Sequence, residues 1–141
     1  MPIKSEDIIN KDGFPVNFFF PGTDAAATAS YDVVFPIHTP CELVGVYVWY
    51  DVASSSGTFQ VQSLASGTAA GSGTNLFTTA ISTAATARTV YSRTTADFVT
   101  TASRIFTGGM CVGLADGGTL TGLTNLSITL YFRPLGKGHY R

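Results

Sequence analysis

The sequence has few charged residues. Eight Lys and Arg and nine Asp and Glu make up 12% of the 141 residues, about half of the ~25% that is typical of soluble domains. The formal net charge is −1, so the chain lacks the basic surface by which proteins bind nucleic acids or anionic membranes. We therefore expect neither nucleic acid nor membrane as a partner.

Long apolar segments and close cysteine pairs are also missing. The longest strongly apolar run, Leu43–Tyr50, has eight residues, whereas a membrane-spanning helix needs about 20. Met1–Asp7 carries acidic residues where a signal peptide has its apolar region, so we expect no secretion signal. Cys41 and Cys111 lie far apart in the sequence. They could pair, but in a chain without such a signal we expect reduced thiols.

Residues that carry catalysis or bind metals are scarce. His38 and Cys41 are the one close pair of metal-ligand types, no second pair matches them, and His139 is in the C-terminal tail. No Gly-x-Ser-x-Gly nucleophile motif is present. The prediction is a protein without enzymatic activity, metal or cofactor.

Small neutral residues and strand-forming residues take the place of charge. The chain contains 20 Thr, 12 Ser and 15 Gly, and its apolar residues are mainly β-branched or aromatic, which favours strands. The clearest strand has Leu126, Ile128, Leu130 and Phe132 on one face. Seven or eight short strands separated by turn residues predict an all-β fold, a single β-sandwich or jelly-roll-like domain over residues 16–134.

Short segments outside this domain hold much of the charge. Residues 1–15 are predicted to form an N-terminal arm outside the core, and residues 135–141 a C-terminal tail. The arm is either a frayed terminus or a contact element. The candidate contact residues of the arm are Lys4, Glu6, Asp7, Lys11 and Asp12.

One predicted strand, Leu43–Val52, is apolar on both faces. Its valines share one face, and Leu43, Tyr47 and Trp49 share the other. A strand with one face in solvent would alternate apolar with polar residues, so we expect the second face to be covered. Three alternatives remain for Leu43, Tyr47 and Trp49: a core between sheets or under a loop, a subunit interface, or a sugar-binding platform. They are the candidate interface residues.

Low charge also favours self-association. Ser, Thr and Ala lose less side-chain entropy than Lys or Glu when a surface is immobilised against a neighbour. A homo-oligomer is therefore expected.

A series of strand and turn segments carries a likeness to a known family: Ala29–Phe35, Cys41–Val48, Gly57–Ala69, Gly71–Leu76, and Gly118–Leu123 running into Leu126–Phe132. The order of these segments resembles small β-sandwich decoration (cement) proteins of tailed-bacteriophage capsids. The likeness covers roughly residues 24–133 and leaves the arm and tail unmatched.

This resemblance implies a structural virion protein, made in the bacterial cytoplasm and bound to the outer capsid surface. It implies a jelly-roll-like homotrimer that stabilises the shell by bridging major capsid proteins, with the arm reaching a neighbour and Tyr47 and Trp49 in the trimer interface. The alternative from another class is a receptor- or glycan-binding fibre or appendage module, which requires these two aromatic side chains to be exposed.

Overall fold

The computed structural model describes residues 13–25, 32–100 and 102–135. These residues form ten β-strands and two short 3-10 turns, without an α-helix in the described ranges. The strands are β1 (Phe14–Thr23), β2 (Val33–Pro36), β3 (Cys41–Trp49), β4 (Thr58–Leu64), β5 (Thr74–Asn75), β6 (Ile81–Ser82), β7 (Tyr91–Thr94), β8 (Ile105–Phe106), β9 (Cys111–Gly117) and β10 (Thr124–Pro134). Among these residues, no helix is long and apolar enough to cross a membrane.

The strands build two antiparallel sheets. Sheet A has the order β1-β10-β3-β7, and the short β8 also pairs with β3; sheet B has the order β2-β9-β4-β5, and the short β6 also pairs with β4. The first four strands alternate between the sheets, and the last two return to lie beside the first two. This is the jelly-roll arrangement, and it confirms the predicted all-β sandwich.

Strand alternation places the core between the two sheets. Leu126, Ile128, Leu130 and Phe132 of β10 are at most 1% exposed, as predicted, and Val61 of β4 lies in the same cluster. Because side chains of one strand point alternately to the two faces, the other residues of β10 are left on the outside of sheet A.

Phe132 lies at the centre of an aromatic group at one end of this core. Its ring stacks on Phe14 at 5.5 Å and meets the edges of Phe35 and Phe106 at 5.8 and 6.2 Å. Edge-to-face and offset contacts of this kind add to the stabilisation from burial. Phe14 thus belongs to the sandwich, so the first strand begins two residues before the predicted domain start at residue 16.

The predicted strand Leu43–Val52 differs from the structure in its boundaries. β3 ends at Trp49, and Val52 makes only an isolated bridge to Thr124. Asp51 and Val52 bond the backbone of Thr124, the first residue of β10, so contact with sheet A continues past the end of β3.

Candidate interaction surface

The outer face of sheet A carries the exposed aromatic side chains of the central strands. In the antiparallel register, Phe19 of β1 lies opposite Ser127 of β10, which lies opposite Trp49 of β3. The next row toward the β8 end places Asn17 opposite Thr129 and Thr129 opposite Tyr47. Residues directly opposite each other project from the same face, so these side chains form one surface.

Tyr47 is 45% exposed although it belongs to a central strand. A Cβ atom at Gly45 would lie 3.3 Å from Tyr47 Cε2 and 3.4 Å from its hydroxyl oxygen, so the tyrosine ring folds back over this glycine. Since glycine has no side chain, the ring rests against the backbone. The hydroxyl end of the ring covers Gly45, and the rest of Tyr47 is accessible to solvent.

Tyr131 makes a similar contact in the neighbouring row. It lies opposite Gly45, and its ring contacts Gly13 so closely that a Cβ there would overlap it. Tyr131 is 37% exposed and Phe19 is 61% exposed. The outer face of sheet A therefore presents Phe19, Tyr47, Tyr131 and the partly buried Trp49.

Leu43 does not belong to this surface. The pairing of β3 with β10 shifts by one residue between Tyr131 and Phe132, so Phe132 lies opposite Leu43 and Val44 is left out of the register. Such a bulge reverses the side-chain alternation of the strand beyond it. Leu43 consequently points into the core and is 0% exposed. The expectation that Leu43 shares a face with Tyr47 and Trp49 is wrong for this reason.

The middle of the surface is polar and uncharged. The hydroxyl of Thr129 donates a 2.7 Å hydrogen bond to Oδ1 of Asn17. Ser127 lies in the adjacent row of β10, between Phe19 and Trp49, and Ser92 of β7 lies opposite Tyr47. Aromatic rings on β1 and β3 thus flank a strip of hydroxyl and amide groups along β10.

Charged side chains lie at one end of the same face. Glu42 has a side chain that is only 9% exposed, and its Oε1 accepts a 2.9 Å bond from Arg133 and lies 3.7 Å from Nε of Arg104. Arg133 is opposite Glu42 in the β10–β3 register. The carboxylate between the two guanidinium groups ties β3, β10 and the segment before β8 together.

Over β4, the outer face of sheet B is covered by the chain itself. Gln60 bonds both backbone groups of Phe77, at 3.0 and 3.4 Å. Gln62 donates to Asn75 at 2.8 Å and accepts from the backbone of Gly73 at 3.1 Å. These amides hold the segment after β4 over the sheet, and a polar depression of about 220 Å³ remains beside them.

An apolar pocket of about 270 Å³ opens at the end of the sandwich where β1 begins and β10 ends. Its lining includes Phe14, Ile37, His38, Cys41 and Pro134. Burial raises the pKa of the Cys41 thiol to about 11, so at neutral pH the thiol is protonated and a poor nucleophile or metal ligand.

In the part of the chain that the structure describes, the residue types that bind metals do not come together. Cys41 and Cys111 are both free thiols, Cys41 in sheet A and Cys111 in sheet B. Within residues 13–25, 32–100 and 102–135, no three His, Cys, Asp or Glu side chains come together in a metal-binding group. The candidate arm residues Lys4, Glu6, Asp7, Lys11 and Asp12 lie outside the described residues.

Comparison with known proteins gives a likeness in fold. No protein-family description and no curated protein sequence matches the chain. Among solved structures, a chain from "Capsid of Ralstonia phage GP4" superposes with a TM-score of 0.51 and 15% sequence identity, over 89% of this chain and 86% of that one. At this identity the likeness shows a shared fold that spans nearly the whole of both chains.

The sequence predicts only part of this surface. It points to Tyr47 and Trp49, and Ser127, Thr129 and Tyr131 follow from the alternation of β10. It does not link Phe19 to them, because β1 and β3 are neighbours neither in the sequence nor in the sheet. Only the strand order of the sheet, which places β10 between β1 and β3, brings these residues onto one surface.

Proposed function

We propose that this chain is a structural protein of a bacteriophage virion that binds the outside of the capsid as a decoration protein. The observation that carries the proposal is the fold shared with a chain of a phage capsid over 89% and 86% of the two lengths. A shared fold alone does not specify a role, and the composition supplies independent support. A body with 12% charged residues and many Thr, Ser and Gly suits permanent contact with neighbouring proteins.

The proposed mechanism is clamping of the shell. A homotrimer that touches several major capsid proteins binds the assembled shell and not the free subunits, so it stabilises the assembled state by mass action. Expansion or rupture of the shell would then have to break the contacts of the decoration protein as well.

The arm is the proposed contact with the capsid. Residues 1–12 precede the sandwich and contain Lys4, Glu6, Asp7, Lys11 and Asp12, a density of charge that the rest of the chain lacks. The boundary follows from the fold, because Phe14 already pairs with β10 and stacks on Phe132. The arm can therefore be altered without changing a described contact of the sandwich.

Imaging of purified particles of the encoding phage tests the proposal directly. The expected result is density of this fold at regular positions on the outer capsid surface, in groups of three. Density confined to a tail or fibre, or no copies on the particle, would reject the decoration role.

The arm is tested separately with two variants. Chains lacking residues 1–12, and full-length chains with the five charged arm residues changed to Ser, are added to capsids that lack the protein. Both should remain folded and should occupy fewer sites than the unaltered chain. Equal occupancy by all three would leave the arm without a part in binding. If only the truncated chain loses occupancy, the arm contributes through groups other than its charges.

A further inference from the structure

The strip between β1 and β3 on the outer face of sheet A has the features of a saccharide site. We propose that Tyr47, Trp49 and Phe19, together with the polar groups of β10 and Asn17, bind an uncharged polysaccharide chain. This activity goes beyond the proposed capsid role and does not depend on it.

The aromatic residues provide stacking surfaces. The Tyr47 ring is held back over Gly45, within 3.3 Å of where a Cβ would be, and 45% of the residue remains exposed. Because the hydroxyl end of the ring contacts Gly45, the ring is held in place, and its exposed part can stack on the C–H groups of the apolar side of a pyranose. Trp49 lies two residues further along the same face, and Phe19 lies across β10 from it.

The polar side chains of β10 and Asn17 provide hydrogen bonds of the type that sugar hydroxyls need. Thr129 donates to Oδ1 of Asn17. The two Nδ2 hydrogens of Asn17 then have no partner among the described residues, and the hydroxyl oxygen of Thr129 can still accept a hydrogen bond. The Ser127 hydroxyl lies beside them in the next row. Neutral donors and acceptors between aromatic walls match the alternating polar and apolar surface of a hexose.

The charge distribution selects an uncharged ligand. Glu42, Arg104 and Arg133 lie at the other end of this face and are engaged with one another, and Asp51, two residues beyond Trp49, is paired with Arg88 at 2.7 Å. An acidic sugar would need an unpaired cation beside it, as a charge-assisted bond requires. The rows of Phe19 and Asn17 contain only aromatic, hydroxyl and amide side chains on the outer face.

A second copy of this chain fits the surface less well. The centre of a subunit interface is usually its most apolar part, with polar groups at the rim, whereas here the polar groups are central.

Affinity electrophoresis of the full-length chain tests the proposal. The native gels contain dextran, amylose, mannan or galactan as neutral probes, or alginate as an anionic probe. We expect at least one neutral polysaccharide to retard the protein and alginate not to do so. Tyr47→Ala should weaken binding at least tenfold, while Tyr47→Phe, which keeps the ring, should stay within about threefold.

Val34→Ala is the matched control. Val34 is 42% exposed, close to the value for Tyr47, but it lies on β2 in the opposite sheet. The control should bind like the unaltered chain, and circular dichroism should show that all variants are folded.

Three outcomes would overturn the proposal: no retardation by any neutral probe, equal effects of Tyr47→Ala and Val34→Ala, or retardation by alginate alone. If the unaltered chain binds no sugar and Tyr47→Ala lowers the mass of the oligomer in solution, this face is instead an interface with a second copy. Particle imaging reports on the capsid role independently, so each proposal can fail without the other.

Discussion

Glu42 is a sensitive point for the stability of this sandwich. Its side chain is 9% exposed, and one oxygen, Oε1, faces Arg133 at 2.9 Å and Arg104 at 3.7 Å. Glu42→Gln keeps the shape of the side chain and removes the negative charge. The two arginines would then lie next to each other without the carboxylate between them.

The expected loss follows from the exposure of each partner. A hydrogen bond to a charged group contributes about 1.5–3 kcal/mol, and removing one partner of a fully buried ion pair costs about 3–5 kcal/mol. The Arg133 side chain is 45% exposed and the Arg104 side chain 19%, so solvent weakens the first interaction more than the second. We expect Glu42→Gln to lower the free energy of unfolding by about 2–3 kcal/mol.

Urea unfolding measures this loss with an internal probe. Trp49 is the single tryptophan of the chain and lies on β3, the strand that also carries Glu42. Its fluorescence therefore reports on the affected sheet, and circular dichroism provides the second signal that a two-state analysis requires. A thermal scan should show Tm reduced by roughly 6–10 °C, since 1 kcal/mol corresponds to about 3 °C in a chain of this length.

Arg133→Gln and the double variant complete the experiment. Arg133→Gln should cost about 1 kcal/mol, because Arg104 remains beside the carboxylate. The double variant should lose less than the sum of the single losses by at least about 0.5 kcal/mol, as coupled neighbours do. A Glu42→Gln protein within 0.5 kcal/mol of the unaltered chain, or strictly additive losses, would refute a stabilising role for this cluster.

Three further predictions concern the core and its ionisable groups. Burial raises the pKa of Tyr50 to about 12 and that of Cys41 to about 11. Both side chains are neutral in the folded protein, so the stability that they contribute is complete below their unfolded pKa values. This contribution is lost as pH rises through their folded pKa values. Between pH 8 and 11, the free energy of unfolding measured in urea should therefore fall as pH rises, and it should fall less steeply for Tyr50→Phe. The same slope for both proteins would contradict the raised pKa of Tyr50. A thiol reagent at pH 8 should modify Cys111, which is partly exposed, much faster than the buried Cys41; equal rates measured by mass spectrometry would mean that this end of the sandwich opens. Leu43→Ala should lower the free energy of unfolding by about 2–5 kcal/mol and Tyr47→Ala by less than about 1 kcal/mol. A larger loss for Tyr47→Ala than for Leu43→Ala in urea unfolding would contradict the burial of Leu43 and the exposure of Tyr47.

The class of fold could be predicted from local pattern because strand periodicity is a local property. The alternation of Leu126, Ile128, Leu130 and Phe132 marks the buried face of β10 without knowledge of its partners. Such inferences depend only on the two-residue repeat of a strand and on the preference of apolar side chains for the interior.

The interaction surface depended on contacts between distant parts of the chain. Leu43 and Tyr47 have the same parity in the sequence, but the one-residue shift opposite Tyr131 and Phe132 sends Leu43 into the core and leaves Tyr47 outside. A bulge is set by the pairing of two strands, so the sequence of one strand does not reveal it.

Composition and alternation by themselves determined an all-β sandwich with little charge and a buried face for each main strand. Only the tertiary structure decided that β10 lies between β1 and β3 and so brings Phe19 near Trp49. The physical reason is that side-chain alternation is encoded within a strand, whereas strand order and register arise from the packing of two whole sheets against each other.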